Sequence, residues 1–261
     1  METTLTRLWA RRLRRIVLPA ALLAVWVVLS RSRTYSYAFV PLGELARGAR
    51  ELVMNGELPR GLVASLCKAF AGLLLGIPAG VLVGGAMGVS RTVDRAIGPV
   101  LHAIRQVPYL GLAPLMGLWF GGGDVAKIIL VFMAVFYPVV LSTYEGVHDV
   151  EPKLVDVARV LRLTRRQVAT KLVLPSVLPH LYTGISQAIA FAWIATVGSE
   201  MLLHAGIGIG TMLQAAEAGG RTDLVFVCVF SVALASLAID SLVGTARRRM
   251  LRWRDDAWNA R

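Results

Sequence analysis

The sequence has almost no cysteine and no clustered histidine. Cys67 and Cys228 are the two thiols in 261 residues, and both fall inside apolar stretches. Two isolated thiols build neither a disulfide framework nor a metal pattern, so they read as small packing residues. His102, His148, His180 and His204 are scattered, with no H-x-x-H or H-E-x-x-H pair, which argues against a membrane metalloenzyme and leaves no metal site to expect. There is no G-x-x-x-x-G-K-[ST] loop, so the chain lacks that means of binding ATP. The run G-I-G-I-G at 206–210 has the wrong spacing for a dinucleotide fingerprint and no strand before it, and reads as a turn at the outer face. Nucleophiles, bases and metal ligands form no cluster, so no catalytic residue is nominated and the chain is expected not to be an enzyme. Charge is also scarce, at 17% of residues, where soluble domains carry about 25%.

What is abundant is apolar sequence. Hydrophobic residues make up 56% of the chain and its mean hydropathy is +0.63. These values define an all-α integral membrane protein. A helix needs about 20 apolar residues to cross the hydrocarbon core. Six candidate spans follow, at about 15–31, 61–89, 97–120, 125–145, 179–203 and 223–245. The first is not read as a cleaved signal peptide: no A-x-A-like site follows it, and Tyr35 and Tyr37 fit an interfacial belt.

The net charge of +12 comes from basic residues beside the apolar stretches, where topology signals belong. No RNA- or DNA-binding motif accompanies it, so nucleic acid is not an expected partner; membrane lipid is. With both termini in the cytoplasm, inside segments carry nineteen Lys and Arg and outside segments six. That bias sets the expected direction. Lys68, Arg105 and Lys127 fall within spans. The outer segment PLGELARGARELVMNGELP is read as a short amphipathic helix.

Within the membrane, Gly72, Gly76, Gly80, Gly84 and Gly88 recur every four residues, a ridge for close helix packing or for a sliding contact. In IRQVPYLGLAP, Pro108 and Pro114 with Gly111 between them interrupt the third span. Broken helices in membranes line protein or water-filled paths. Arg105, Gln106 and Tyr109 are therefore path candidates, with snorkelling the competing reading of Arg105. Ser199 and Glu200 near the outer end of span five are further candidates. A charge there must face the bundle or a cavity. Glu200 is equally readable as bonded to a neighbouring helix, the better reading for an anionic cargo.

The insert DVARVLRLTRRQVATKLVLP, residues 156–175, faces the cytoplasm in this topology. Pro152 suits a first helical turn. Leu154, Val157, Ala158 and Leu161 form one apolar stripe, and Asp156 can pair with Lys153 or Arg159. Thr164 with Gln167 makes a capping box. A second helix is expected to end near Val173, because Leu174 precedes Pro175. The residues alone leave two readings open: a connector on the membrane surface, or a docking lever for a cytosolic partner.

The same insert resembles the EAA motif of ABC importer permeases. That motif runs E-A-A, three residues, Gly, nine residues, Ile, one residue, Leu-Pro. Here Asp156, Val157 and Ala158 open it, Arg162 stands at the glycine, Leu172 at the isoleucine, and Leu174-Pro175 close it. Arg162 is the marked departure, costing about 1–2 kcal/mol if its φ is positive. The stretch APLMGLWFGGGDVAKIILVFMAVFYPVVLSTYEGVHDVEPKLVDVARVL, together with GISQAIAFAWIATVGSEML, RTDLVFVCVFSVALASLAID and RRRMLRWR, is similar to the nitrate/sulfonate/taurine permease subfamily, from about residue 40 to the C-terminus. The resemblance implies a type I ABC importer permease-like bundle of about six transmembrane helices. It implies residues 1–60 as basic segment, first span and outer loop, 61–245 as permease core with a coupling loop at 146–178, and 246–261 as a cytoplasmic tail. It implies a bacterial inner membrane, a second permease copy, two cytosolic ATPase subunits that hold ATP and Mg, and an extracytoplasmic binding protein. Coupling residues would be Lys153, Asp156, Ala158, Arg159, Leu161, Arg162, Thr164 and Pro175. The implied cargo is a small anion of the sulfonate, taurine or nitrate class. Bicarbonate or a thiamine-precursor pyrimidine is an alternative cargo, and a stand-alone secondary transporter an alternative class.

Overall fold

The structure is a computed structural model that describes residues 17–32 apart from Pro19, and residues 38–250. The basic residues before position 16, Tyr35, Tyr37 and the tail beyond 250 lie outside the described residues. Among the described residues every regular element is helical. They are α1 (Ala20–Arg31), α2 (Leu42–Met54), α3 (Glu57–Val89), α4 (Arg91–Ile104), a 3₁₀ turn (Tyr109–Leu112), α5 (Ala113–Phe120), α6 (Asp124–His148), α7 (Pro152–Val160), α8 (Arg165–Val168), a π turn (Ala169–Val173), α9 (Leu174–Leu202), α10 (Ile209–Ala218) and α11 (Thr222–Met250).

Four of these stretches are long and apolar enough to cross a membrane: Glu57–Val89, Asp124–His148, Arg166–Leu202 and Thr222–Thr245. Ala20–Arg31 and Tyr109–Phe120 are apolar but shorter. The expected third span, 97–120, is not one rod. Pro108 lacks an N–H and disfavours helix at Val107. The chain therefore leaves α4, passes through an extended Pro108 (ψ 110°), makes the 3₁₀ turn and starts again at Ala113.

The chain divides into two compact units. One comprises residues 1–58 and 213–230, the other 59–212 and 231–261. In the first, the Trp26 indole donates to the Val40 carbonyl at 3.0 Å and meets Phe226 edge-on at 4.7 Å. Gly48 leaves room for Asp223 and Leu224. Arg221 bonds Glu51 and Asp223, each at 2.8 Å. These carboxylates hold the Arg221 proton more tightly than usual.

In the second unit, α6 is the central helix. Gly72, Gly76, Gly80, Gly84 and Gly88 of α3 lie against Val131, Val135, Val139, Val140 and Val147 of α6. A Cβ at Gly72 would fall 2.3 Å from a Val131 methyl, and one at Gly84 would fall 2.3 Å from the Val140 carbonyl oxygen. Backbones this close gain dispersion contact, which drives helix association where water cannot. The same valines also meet small residues of α9: Ala188, Ala192 and Ala195 join Val131, Val135 and Val139 in one buried cluster. Gly184 admits the Ser142 side chain.

The expected helix end before Pro175 does not occur. Leu174 is helical (φ −57°, ψ −47°), and the π turn over Ala169–Val173 carries the helix straight into α9. Pro175 follows the π turn directly, and the wider spacing of that turn accommodates a residue with no N–H to give the ladder.

Candidate functional site

Three polar features stand out against the apolar helices. The first is the segment from α7 to α8. Glu151 and Pro152 open α7. Its C-terminus closes with two bonds, Arg162 N to the Arg159 carbonyl and Leu163 N to the Ala158 carbonyl, both 3.0 Å. This pair is a Schellman closure, which needs a left-handed residue after the helix cap. Arg162 supplies it with φ 48°, the only positive φ on a non-glycine residue among those described. The turn that a glycine would make is thus kept with arginine, at a local cost of about 1–2 kcal/mol.

Thr164 and Gln167 then cap α8 reciprocally: Thr164 N donates to Gln167 Oε1 at 2.8 Å, and Gln167 N donates to Thr164 Oγ1 at 3.3 Å. Asp156 pairs with Arg159 at 3.1 Å, and Lys153 is exposed without an ion pair among the described residues. Ala158 is buried, while Leu154, Val157 and Leu161 on the same stripe stand 43%, 53% and 64% exposed. This short helix therefore presents an apolar stripe that nothing in the described chain covers.

The second feature is a cavity of about 250 Å³ where the third span breaks. Arg105 and Tyr109 line it; Gln106 does not. Its walls are aromatic: Phe132, Phe136 and Tyr137 of α6 and Phe191 of α9. The Arg105 guanidinium lies 5.4 Å from the Tyr137 ring centre and donates to the Tyr137 hydroxyl at 2.7 Å. Tyr137 thus holds the cation against the cavity wall by a hydrogen bond and a cation–π contact. Arg105 is the one cation among the lining residues. The aromatic partners escaped sequence reasoning because an aromatic in a span reads first as packing.

The third feature is a buried charge cluster away from that cavity. Ser199 and Glu200 are fully buried. Both Glu200 oxygens accept from Ser65 Oγ at 2.8 Å, and Oε1 accepts from Lys68 Nζ at 2.9 Å. Gly210 N donates to Glu200 Oε2 and Ile209 N to Ser65 Oγ, each at 2.9 Å. Lys68 also donates to the Ile207 carbonyl, and buried Lys127 donates to the Ala205 carbonyl. Asp124 lies 3.4 Å from Lys68. The glycine run does more than turn. A Cβ at Gly208 would fall 2.2 Å from the Glu200 carboxyl, and one at Gly210 would fall 2.4 Å from the Val197 carbonyl oxygen. Glycine lets residues 206–210 close over the carboxylate. Ser199 donates only to the Thr196 carbonyl of its own helix. Lys68 and Lys127 were the legible signal: an ammonium inside a span must find an acceptor.

Apolar helices in number, one of them broken beside an arginine-bearing cavity, and a short helix pair with an uncovered apolar stripe fit a membrane transport subunit. The chain belongs to the family described as binding-protein-dependent transport system inner membrane component, whose model matches residues 76–252. Among curated relatives it is 34% identical over 241 residues to a permease named for aliphatic sulfonates transport in Bacillus subtilis (strain 168), covering 92% of this chain and 87% of that one. It is 32% identical to the taurine transport system permease protein of Escherichia coli (strain K12), over 90% of this chain and 87% of that one. It is 29% identical to the nitrate import permease protein of Synechococcus elongatus, over 87% and 85%.

Proposed function

We propose that this chain forms the membrane path of an ATP-driven importer for small anions of the sulfonate, taurine or nitrate class, in a bacterial inner membrane. The cation held in the aromatic cavity carries this reading: Arg105, fixed by Tyr137, is placed to receive an oxyanion at a break in the helices. The relatives named for sulfonates, taurine and nitrate support the same cargo class. About six helices cross the membrane, with both termini cytoplasmic. Two copies pair, two ATPase subunits bind ATP and Mg, and a binding protein delivers cargo from outside. The α7–α8 segment docks on the ATPase through Leu154, Val157 and Leu161, while Lys153, Asp156 and Arg159 frame that contact and Thr164 and Arg162 fix its shape. Glu200 acts as a clasp on the 203–210 loop rather than as a cargo ligand, since a carboxylate would repel an anion.

The test is uptake of radiolabelled sulfonates, taurine and nitrate by proteoliposomes containing the chain, its co-purified ATPase and its binding protein. ATP-dependent uptake that falls at least about tenfold in Arg105→Ala is expected, the scale of one charge-assisted bond. ATP-dependent uptake unchanged by Arg105→Ala would move the path elsewhere. Uptake without any ATPase would remove the importer reading.

A further inference from the structure

The groove between α9 and α11 takes no part in the path described above. It is a cavity of about 400 Å³ lined by Ser186, Trp193 and Ile194 of α9 and by Ser236, Leu237 and Asp240 of α11, with aliphatic neighbours. Its walls are almost wholly apolar, yet they carry polar groups left without partners. Trp193 is 7% exposed, and its indole Nε1 donates to nothing. The Ser186 hydroxyl is buried and unpaired as well. Asp240 stands within the apolar stretch Thr222–Thr245, is exposed, and makes no ion pair with a described residue. Unsatisfied donors are costly at membrane depth, and a carboxylate inside an apolar stretch calls for a cationic partner.

Ser186 and Trp193 are seven residues apart, about 10.5 Å along one helix. Asp240 lies five residues before Thr245, about 7.5 Å inside the end of the apolar stretch, within reach of a membrane interface. At the rim, Ile194 is 53% and Leu237 66% exposed. A compact solute does not span two helical turns and offers nothing to these aliphatic edges. An elongated amphiphile does both.

We propose that this groove binds a phospholipid whose headgroup ends in a primary ammonium. The ammonium pairs with the Asp240 carboxylate. Phosphate or ester oxygens accept from Ser186 Oγ and Trp193 Nε1, and the acyl chains lie along Ile194 and Leu237. Asp240 repels an anionic glycerol headgroup, and a choline headgroup has no N–H to donate.

The test uses the full chain in nanodiscs of mixed phosphatidylethanolamine and phosphatidylglycerol, read by native mass spectrometry. Retention of phosphatidylethanolamine on the released protein is expected, falling about tenfold in Asp240→Asn and held in Asp240→Glu. Ser186→Ala, a small change that leaves packing intact, should weaken it further. The emission assigned to Trp193, by difference against Trp193→Phe, should shift when phosphatidylcholine replaces phosphatidylethanolamine. Equal retention of both lipids, or retention indifferent to Asp240→Asn and Ser186→Ala, would overturn the proposal. So would displacement of the lipid by free taurine, or a Leu237→Cys disulfide between two copies, which would place a second chain in the groove.

Discussion

Arg162 shows how one residue can keep a turn and pay for it. Its φ of 48° is required by the two bonds that close α7. Arg162→Gly should therefore raise the midpoint of thermal unfolding, through about 1 kcal/mol of relieved strain, while ATPase co-purification is kept. A lowered midpoint would mean that the arginine side chain makes a contact worth more than the strain. Glu200 is the opposite case, a residue whose partners cannot be traded singly. Lys68→Met leaves a buried carboxylate facing Ser65 and Gly210 N alone, and a cost of about 3–5 kcal/mol is expected. The pair Lys68→Met with Glu200→Gln should recover much of that loss in the same unfolding measurement. If the double variant is as damaged as the single, the cluster is not held together by charge. The sequence exposed each of these ions but not their pairing, because Ser65, Lys68, Lys127 and Glu200 are brought together from α3, α6 and α9.

At the scale of elements, the contact of α3 with α6 is set by glycines that face valines. Gly88→Ala would push a methyl to within 2.6 Å of the Val147 side chain, and Gly84→Ala would drive one to within 2.3 Å of the Val140 backbone oxygen. Overpacking of this kind costs about 1–3 kcal/mol. Removing the neighbour's whole side chain, Cβ included, with Val147→Gly should restore the yield of folded Gly88→Ala protein, while no side-chain trim should rescue Gly84→Ala. Rescue of both would mean that the helices can separate freely. The α7 stripe makes a different prediction. Val157→Asp with Leu161→Asp touches residues that are 53% and 64% exposed, so thermal stability should hold while the ATPase no longer co-purifies. Reversing Asp156 and Arg159 together should uncouple ATP hydrolysis from uptake in the same way. The four-residue glycine period and the α7 stripe were both legible, since each is a repeat along one helix. The π turn into α9 was not. The rule that a residue before proline avoids helix is local, and the widened turn that leads into α9 outweighs it.

At the scale of the whole molecule, the distribution of Lys and Arg sets a direction that labelling can check. In a cysteine-free background, Lys153→Cys should react with an impermeant maleimide only from the cytoplasmic side, and Glu217→Cys only from outside. Both residues are exposed, so access is not limited by burial. Reaction of both from one side would overturn the topology and put α7 out of reach of a cytosolic ATPase.

Composition and period by themselves determined the class of the molecule. Apolar runs of membrane length, basic residues beside them, and a motif of fixed spacing are properties of neighbouring residues, so the sequence carries them openly. The tertiary structure alone decided which polar groups meet. Arg105 found Tyr137, Glu200 found Lys68 and Ser65, and Trp193 was left beside Asp240 without a partner, because in an apolar interior the helices must first associate before their few polar atoms have anything to bond.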